Sequence, residues 1–241
     1  IASGRLSEWF GYPTLETDKT LRTLSIKFKM TKSYEENKNK INPELIADLN
    51  SWLEGVNECI KICPKPLEMF ILRIQPEPVT IEDVLAFSAV MSFSFTKAYY
   101  NDAILSRLSE SISPTMMNEI SDQSVPVQTQ KKKSAFLNPK SLIEIDPLSF
   151  IPQLDGSQSW VLSANKSDSG HATLANDPHI SFSNPGVWYE AHLKSGDFEL
   201  YGHFIPIIPF ALIGHNQYKA WALTMSYADE LDLLIPNEKT V

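Results

Sequence analysis

Cysteine is nearly missing from this chain: only Cys59 and Cys63 occur in 241 residues. Two thiols cannot build a zinc module or a disulfide framework, so both classes are excluded. Four apart in a predicted helix, they are expected to be half-buried core thiols. Long apolar runs are missing too. No stretch of 18 apolar residues occurs, which rules out a membrane-spanning helix, and no sustained heptad pattern suggests a coiled coil. A composition of 43% hydrophobic and 21% charged residues is not that of a disordered chain. Positive charge is in deficit, with 21 Lys and Arg against 29 Asp and Glu, a net charge of −8 and a pI near 5.2. That balance argues against nucleic acid or an anionic membrane as the main partner. No signal peptide is visible, and the chain opens at Ile1 rather than Met. Composition therefore assigns no compartment.

What is present is enough chain for one large domain or two small ones, with a core that needs no staples. The distribution is uneven. Residues 1–156 carry 17 basic and 20 acidic side chains and no His, whereas 157–241 carry four basic, nine acidic and all five His. The first part reads as helical. Asn42-Pro43-Glu44 offers a cap, a proline at the first helical position and an early acid, followed by Leu45, Leu49, Trp52, Leu53 and Val56 on one face. Thr80-Ile81-Glu82-Asp83 has the capping-box pattern and opens a second helix with Val84, Phe87, Met91 and Phe95 as its expected buried stripe. A third carries Ile104, Leu105 and Leu108, with Pro114 expected just beyond its end.

Residues 121–156 interrupt this pattern with Ser, Gln, Pro and the run Lys131-Lys132-Lys133, as a linker or surface loop would. From Gly156 onward short alternating segments predict strands, among them Trp160 to Ser163, Thr173 to Ala175, Val187 to Lys194, Phe198 to Phe204, Phe210 to Ile213 and Ala220 to Met225.

The common catalytic signatures are absent: no Gly-x-Ser-x-Gly elbow, no His-Glu-x-x-His, no phosphate loop and no dinucleotide glycine pattern. Nor do the five histidines, His171, His179, His192, His203 and His215, show metal-ligand spacing. An ordered series of motifs remains. Gly156-Ser157-Gln158-Ser159-Trp160 is followed by Leu174-Ala175-Asn176-Asp177-Pro178-His179, then Gly214-His215-Asn216 and Trp221-Ala222-Leu223-Thr224. Upstream lie Gly4-Arg5-Leu6-Ser7-Glu8, Leu21-Arg22, Glu54-Gly55-Val56-Asn57, Pro66-Leu67-Glu68 and Pro78-x-x-x-Glu82-Asp83. Together these resemble the penicillin acylase family of N-terminal nucleophile hydrolases, over nearly the whole chain. Gln158 stands where that family usually has Asn.

The resemblance implies an α+β chain. Its helical α-chain region would cover 1–121, a spacer 122–156, and the start of an antiparallel β-chain 157–241, all part of a larger αββα fold. It implies that Ser157 is the nucleophile, freed by cleavage after Gly156, in an amidohydrolase acting on a small-molecule N-acyl amide such as a β-lactam side chain or an acyl-homoserine lactone. A serine hydroxyl needs a base, and the α-amine of an N-terminal serine, with a reference pKa of about 7.7–8.0, suits that task near neutral pH. The same resemblance assigns the Met225 N–H to the oxyanion and His179 to the nucleophile's surroundings, with Met91, Phe95, Ile180, Leu223 and Met225 lining the acyl pocket. Asp229, Leu231 and Asp232, with Asn101 where an acid is usual, would hold a structural calcium. It further implies a periplasmic or secreted location and partnership between α and β chains of one precursor. The second oxyanion donor, an Asn, would lie beyond Val241, so this chain alone is expected to be nearly inert. Two alternatives stay open: a non-catalytic or unprocessed relative with a binding role, and an ordinary Ser-His hydrolase.

Overall fold

The computed structural model describes residues 1–96, 98–120, 154–180, 182–183 and 186–225. Among these, helices come first and two antiparallel sheets follow, as the α+β expectation required. The chain divides into two compact units, Ile1–Ser94 with Pro147–Ser226, and Phe95–Asp146 with Tyr227–Val241.

The first unit opens with α1 (Ser7–Phe10), α2 (Leu15–Leu24) and α3 (Ile26–Asn37), which sequence patterning did not assign. A buried carboxylate organises this start. Asp18, 3% exposed, accepts the Leu6 and Ser7 amides at 2.8 and 2.7 Å and the Ser7 hydroxyl at 2.6 Å. These are orphan donors of the short α1, satisfied from a neighbouring helix. Burial pushes the Asp18 carboxyl up, but the Ser7 and Leu6 donors outweigh it and hold the group below its ordinary value. The sign follows from linkage: a depressed folded pKa contributes stability above the unfolded value of about 3.9, which is lost as pH falls through the folded one. Asp18→Ala is therefore expected to cost about 1–3 kcal/mol at pH 7. Urea unfolding across pH 2–5 should show a flatter pH dependence for the variant than for the parent.

Helix α4 (Pro43–Ile62) begins as predicted: the Asn42 side-chain oxygen accepts the Glu44 amide at 3.0 Å, with Pro43 at the first position. Its predicted stripe is only partly covered. Leu53 is buried at 5% exposure, whereas Leu45 is 61% exposed. The two cysteines correct the thiol expectation. They are exposed and joined as a disulfide across Cα atoms 5.0 Å apart, where α4 ends and Cys63 turns into extended backbone. One helical turn brings residues four apart onto the same face, which makes this pairing geometrically accessible. After α5 (Leu67–Ile71), α6 (Ile81–Ser94) carries the predicted capping box, with Asp83 accepting the Thr80 amide at 3.0 Å and its own amide reaching the Thr80 hydroxyl at 3.3 Å. Lys27 of α3 adds a 2.7 Å ion pair to Asp83. The buried face of α6 is Val84, Ala86, Val90, Met91 and Ser94. Phe87 and Phe95 are half-buried, so the stripe is rotated from the predicted one. Asn57 of α4 grips the strand-like approach to α6 by donating to the Val79 carbonyl and accepting its amide, at 2.9 and 2.7 Å.

In the second unit, α7 (Ala98–Ser111) contains the predicted third helix and packs on α8 (Pro114–Ile120), where Met117 is buried. Pro114 lies just beyond the end of α7, as expected, and itself opens α8. Proline suits a first helical turn, whose amides have no partners.

Within the first unit, β1 (Leu154–Leu162) pairs antiparallel with β2 (Thr173–Ile180). The second sheet has the order β3 (Tyr189–Ser195), β4 (Phe198–Phe204), β5 (Ile213–His215), β6 (Ala220–Trp221). Gly196, at φ +57°, makes the two-residue turn between β3 and β4. Phe204, 1% exposed, is the centre of this sheet's core with Ile205, Ile208 and Ala211, and the Tyr189 ring stacks on it at 5.4 Å. The β1–β2 ribbon keeps Trp160 and Val161 exposed at 52% and 68%.

Candidate active site

The register of the ribbon orders the motif residues. Gly156 stands opposite His179, Ser157 opposite Pro178, Gln158 opposite Asp177 and Ser159 opposite Asn176. Paired residues share a face and successive ones alternate. Ser157, Ser159, Asn176 and Pro178 therefore occupy one face, and Gly156, Gln158, Asp177 and His179 the other.

Half-buried Ser157 is tied to the segment that leaves β6. Its Oγ donates to the Leu223 carbonyl at 3.2 Å, and the Thr224 hydroxyl donates back to the Ser157 carbonyl at 3.1 Å. Asn176 joins the same knot. Its Nδ2 donates to the Gln158 carbonyl at 2.8 Å and to the Leu223 carbonyl at 2.9 Å. Gln158 thus enters through its backbone alone, so its departure from the usual Asn leaves this tie unchanged. Met225, two residues past Leu223, is half-buried.

His179 lies beside the residue before the serine. Its Nδ1 would stand 3.7 Å from a Cβ placed on Gly156, and its Nε2 bonds Asp177 Oδ2 at 2.9 Å. It stands opposite Gly156, on the other face of the ribbon from the Ser157 side chain. Peptide continuity is the other notable feature: β1 starts at Leu154, not at Gly156, so the Gly156–Ser157 bond lies inside a strand.

The predicted pocket residues fall on different elements. Ile180 ends β2 and Leu223 joins the Ser157 knot, while Met91 is buried in α6 at 8% exposure. Phe95 belongs to the second unit. A groove of about 400 Å³ runs along β4 between Phe198, Phe210, Tyr218 and Trp221, and another of about 290 Å³ lies between Ala2, Leu21 and Phe28. Neither contains Ser157 or a predicted acyl contact. Of the predicted calcium ligands, Asp229, Leu231 and Asp232 lie outside the described residues, and Asn101 is placed only as part of α7. Among the described residues no cluster of three or more His, Cys, Asp or Glu could hold a metal, and no helix is long and apolar enough to cross a membrane.

Two residues of the knot, Asn176 and Thr224, received no role from sequence reasoning although both stand inside the quoted motifs. The signal was the recurrence of polar side chains capable of bonding backbone carbonyls at strand positions.

The model of the penicillin amidase family matches residues 1–239. The chain belongs to that family. It is similar to acyl-homoserine lactone acylase QuiP of Pseudomonas aeruginosa, 24% identical over 98% of this chain and 29% of the relative. Penicillin acylase 2 proenzyme of Pseudomonas sp. strain SE83 is 22% identical over 97% of this chain and 32% of its own length. QuiP of Pseudomonas fluorescens is 24% identical over 98% and 30%. The chain thus spans about a third of the length of these penicillin amidase relatives. No solved structure matches it.

Proposed function

We propose that this chain is the processing region and nucleophile-bearing part of a self-cleaving acylase that hydrolyses the amide bond of a small N-acyl substrate. The observation that carries the reading is the seating of the Ser157 hydroxyl on the Leu223 carbonyl, two residues before Met225. In the processing step Ser157 Oγ attacks the Gly156 carbonyl carbon, the Gly156–Ser157 C–N bond breaks, and the nitrogen leaves as the Ser157 amine. Water then hydrolyses the resulting ester to a Gly156 carboxylate and a free hydroxyl. Gly156 carries no side chain to crowd that carbonyl.

In turnover the freed α-amine takes the Oγ proton, Oγ attacks the substrate carbonyl, and the proton passes to the departing amine. Water then hydrolyses the acyl-Ser157 ester, releasing the carboxylate and the free hydroxyl. The Met225 N–H is the assigned oxyanion donor, and His179 positions the neighbourhood of the serine from across the ribbon. Ile180, Leu223, Met225, Met91 and Phe95 are assigned to an apolar acyl pocket, where binding of the remote chain supplies rate. An acyl-homoserine lactone or a β-lactam side chain fits that chemistry, as the names of the relatives suggest. The αββα architecture, the α and β chains of one precursor, and the division at 121/122 and 156/157 belong to the same proposal.

The calcium proposal rests on an all-oxygen donor set, two Asp carboxylates, the Leu231 carbonyl and the Asn101 amide, which suits a hard cation. Bound there, the ion would brace the fold. A periplasmic or secreted location is supported by the exposed Cys59–Cys63 disulfide, since such bonds persist in oxidising compartments.

Mass spectrometry of the purified full-length protein tests the reading. A species whose first residue is Ser157, with acylase activity lost on acetylation of its α-amine, is the expected result. An intact bond after Gly156 in a protein that binds N-acyl amides without hydrolysing them would instead establish the binding relative. Activity that survives acetylation would establish an ordinary Ser-His hydrolase.

A further inference from the structure

We propose that Asn176 is a positioning residue for Ser157, acting through the Leu223 carbonyl. The inference rests on the function proposed above. A carbonyl oxygen has two lone pairs. At Leu223 one accepts the Ser157 hydroxyl at 3.2 Å and the other the Asn176 amide at 2.9 Å. The second Asn176 donor is anchored 2.8 Å away on the Gln158 carbonyl, the residue next to Ser157 along β1. One planar amide therefore spans the two backbones that bracket the serine hydroxyl. The orientation of that amide follows from its partners: both neighbours are carbonyls, so the nitrogen must face them and the oxygen must face away.

The oxygen supplies a second, independent observation. Asn176 Oδ1 is buried with no hydrogen-bond partner among the described residues. Buried polar atoms kept for stability alone are nearly always paired, so an orphan acceptor beside a reactive group points to function. Without the Asn176 tether the Leu223 carbonyl is held by the serine alone. It can then shift against a remaining side-chain tie of its segment, Thr224 to the Ser157 carbonyl, and carry the hydroxyl out of line with the Gly156 carbonyl. The loss falls on attack, and the cleavage after Gly156 reads it directly, since that step has no separate substrate to capture.

The test compares Asn176→Asp with wild type in the full-length protein, with Ser159→Ala as a neighbouring control. Aspartate keeps the shape but presents an oxygen to two carbonyls. Cleavage after Gly156 is expected to slow by roughly tenfold to a hundredfold, and kcat of the processed enzyme to fall similarly. Protonation restores one O–H donor, so the variant-to-wild-type ratio of cleavage rates after Gly156, where no free α-amine yet exists, should rise as pH falls. Asp177 and His179, on the other face of β2, are present in both proteins and cancel in that ratio.

Wild-type rates, or slow rates whose ratio is flat with pH, would overturn the positioning role. If Asn176→Asp does not fold, Asn176→Ser carries the test. It should process slowly, and wild-type processing would overturn the proposal. A Ser157→Ala protein that still cleaves after Gly156 would sink the proposed function itself. Abolished cleavage there with normal Asn176→Asp would sink only this inference.

Discussion

Ser157→Ala in the full-length protein is expected to remain uncut after Gly156 and to show no acylase turnover above background. With no hydroxyl, no bond can form to the Gly156 carbonyl, and with no cleavage the α-amine that serves as base stays locked in a peptide. The two failures compound, so the loss should be on the order of 10⁶-fold, the scale seen when a catalytic nucleophile is removed. Mass spectrometry reads the first failure and amide hydrolysis the second. Ser157→Cys separates them. A thiolate makes the same acyl shift, so that variant should be processed, yet turn over amides poorly.

Gly202→Val is expected to be the most damaging substitution in the sheet. Gly202 and Gly214 face each other across β4 and β5. A Cβ on Gly202 would collide with the Ile213 carbonyl oxygen and stand 2.7 Å from the Gly214 Cα and 2.9 Å from the Ala211 Cβ. Two of these three atoms are backbone, so no rotamer change relieves the clash. Separating β4 from β5 would uncover Phe204 and Ala211, at a cost of more than about 4 kcal/mol. Thermal unfolding of the full-length variant should show a lost or strongly lowered transition. A midpoint within a few degrees of wild type would mean the strands pair more loosely than described.

The elements that were legible in the sequence are those whose ends carry local chemistry. Asn42-Pro43 and Thr80 with Asp83 announce helix starts through hydrogen bonds that span three residues, and alternation announces β3 and β4. Helices α2 and α3 were not legible. The joint between them depends on Ser25 in a left-handed conformation at φ 55°, and no residue of α3 is buried. The α4 stripe is legible as a pattern, but Leu45 stays exposed, and burial is not a local property. The disulfide escaped for a related reason, since redox state is set by the surroundings of two thiols and not by their spacing.

At the candidate site the serine, His179 and Leu223 were legible only as motif positions. Their relation was not, because it is a matter of register: Gly156 opposite His179 puts the imidazole on the far face from the Ser157 hydroxyl. Asn176 was passed over because an amide in a strand has no distinctive spacing. Its role comes from the Leu223 carbonyl, 47 residues away in sequence.

The unbroken run of β1 through Gly156–Ser157 separates two events in the proposed maturation, the cut and the departure. Hydrolysis in mid-strand makes two ends that keep their old neighbour, with Leu154 and Gly156 still paired to Ile180 and His179. A freshly nicked protein would then carry its own spacer as a plug over the new amine. Chemistry sets the rate of the first event, and strand peeling sets the second. A preparation could accordingly be fully cut by mass and still gain activity with time, temperature or mild denaturant.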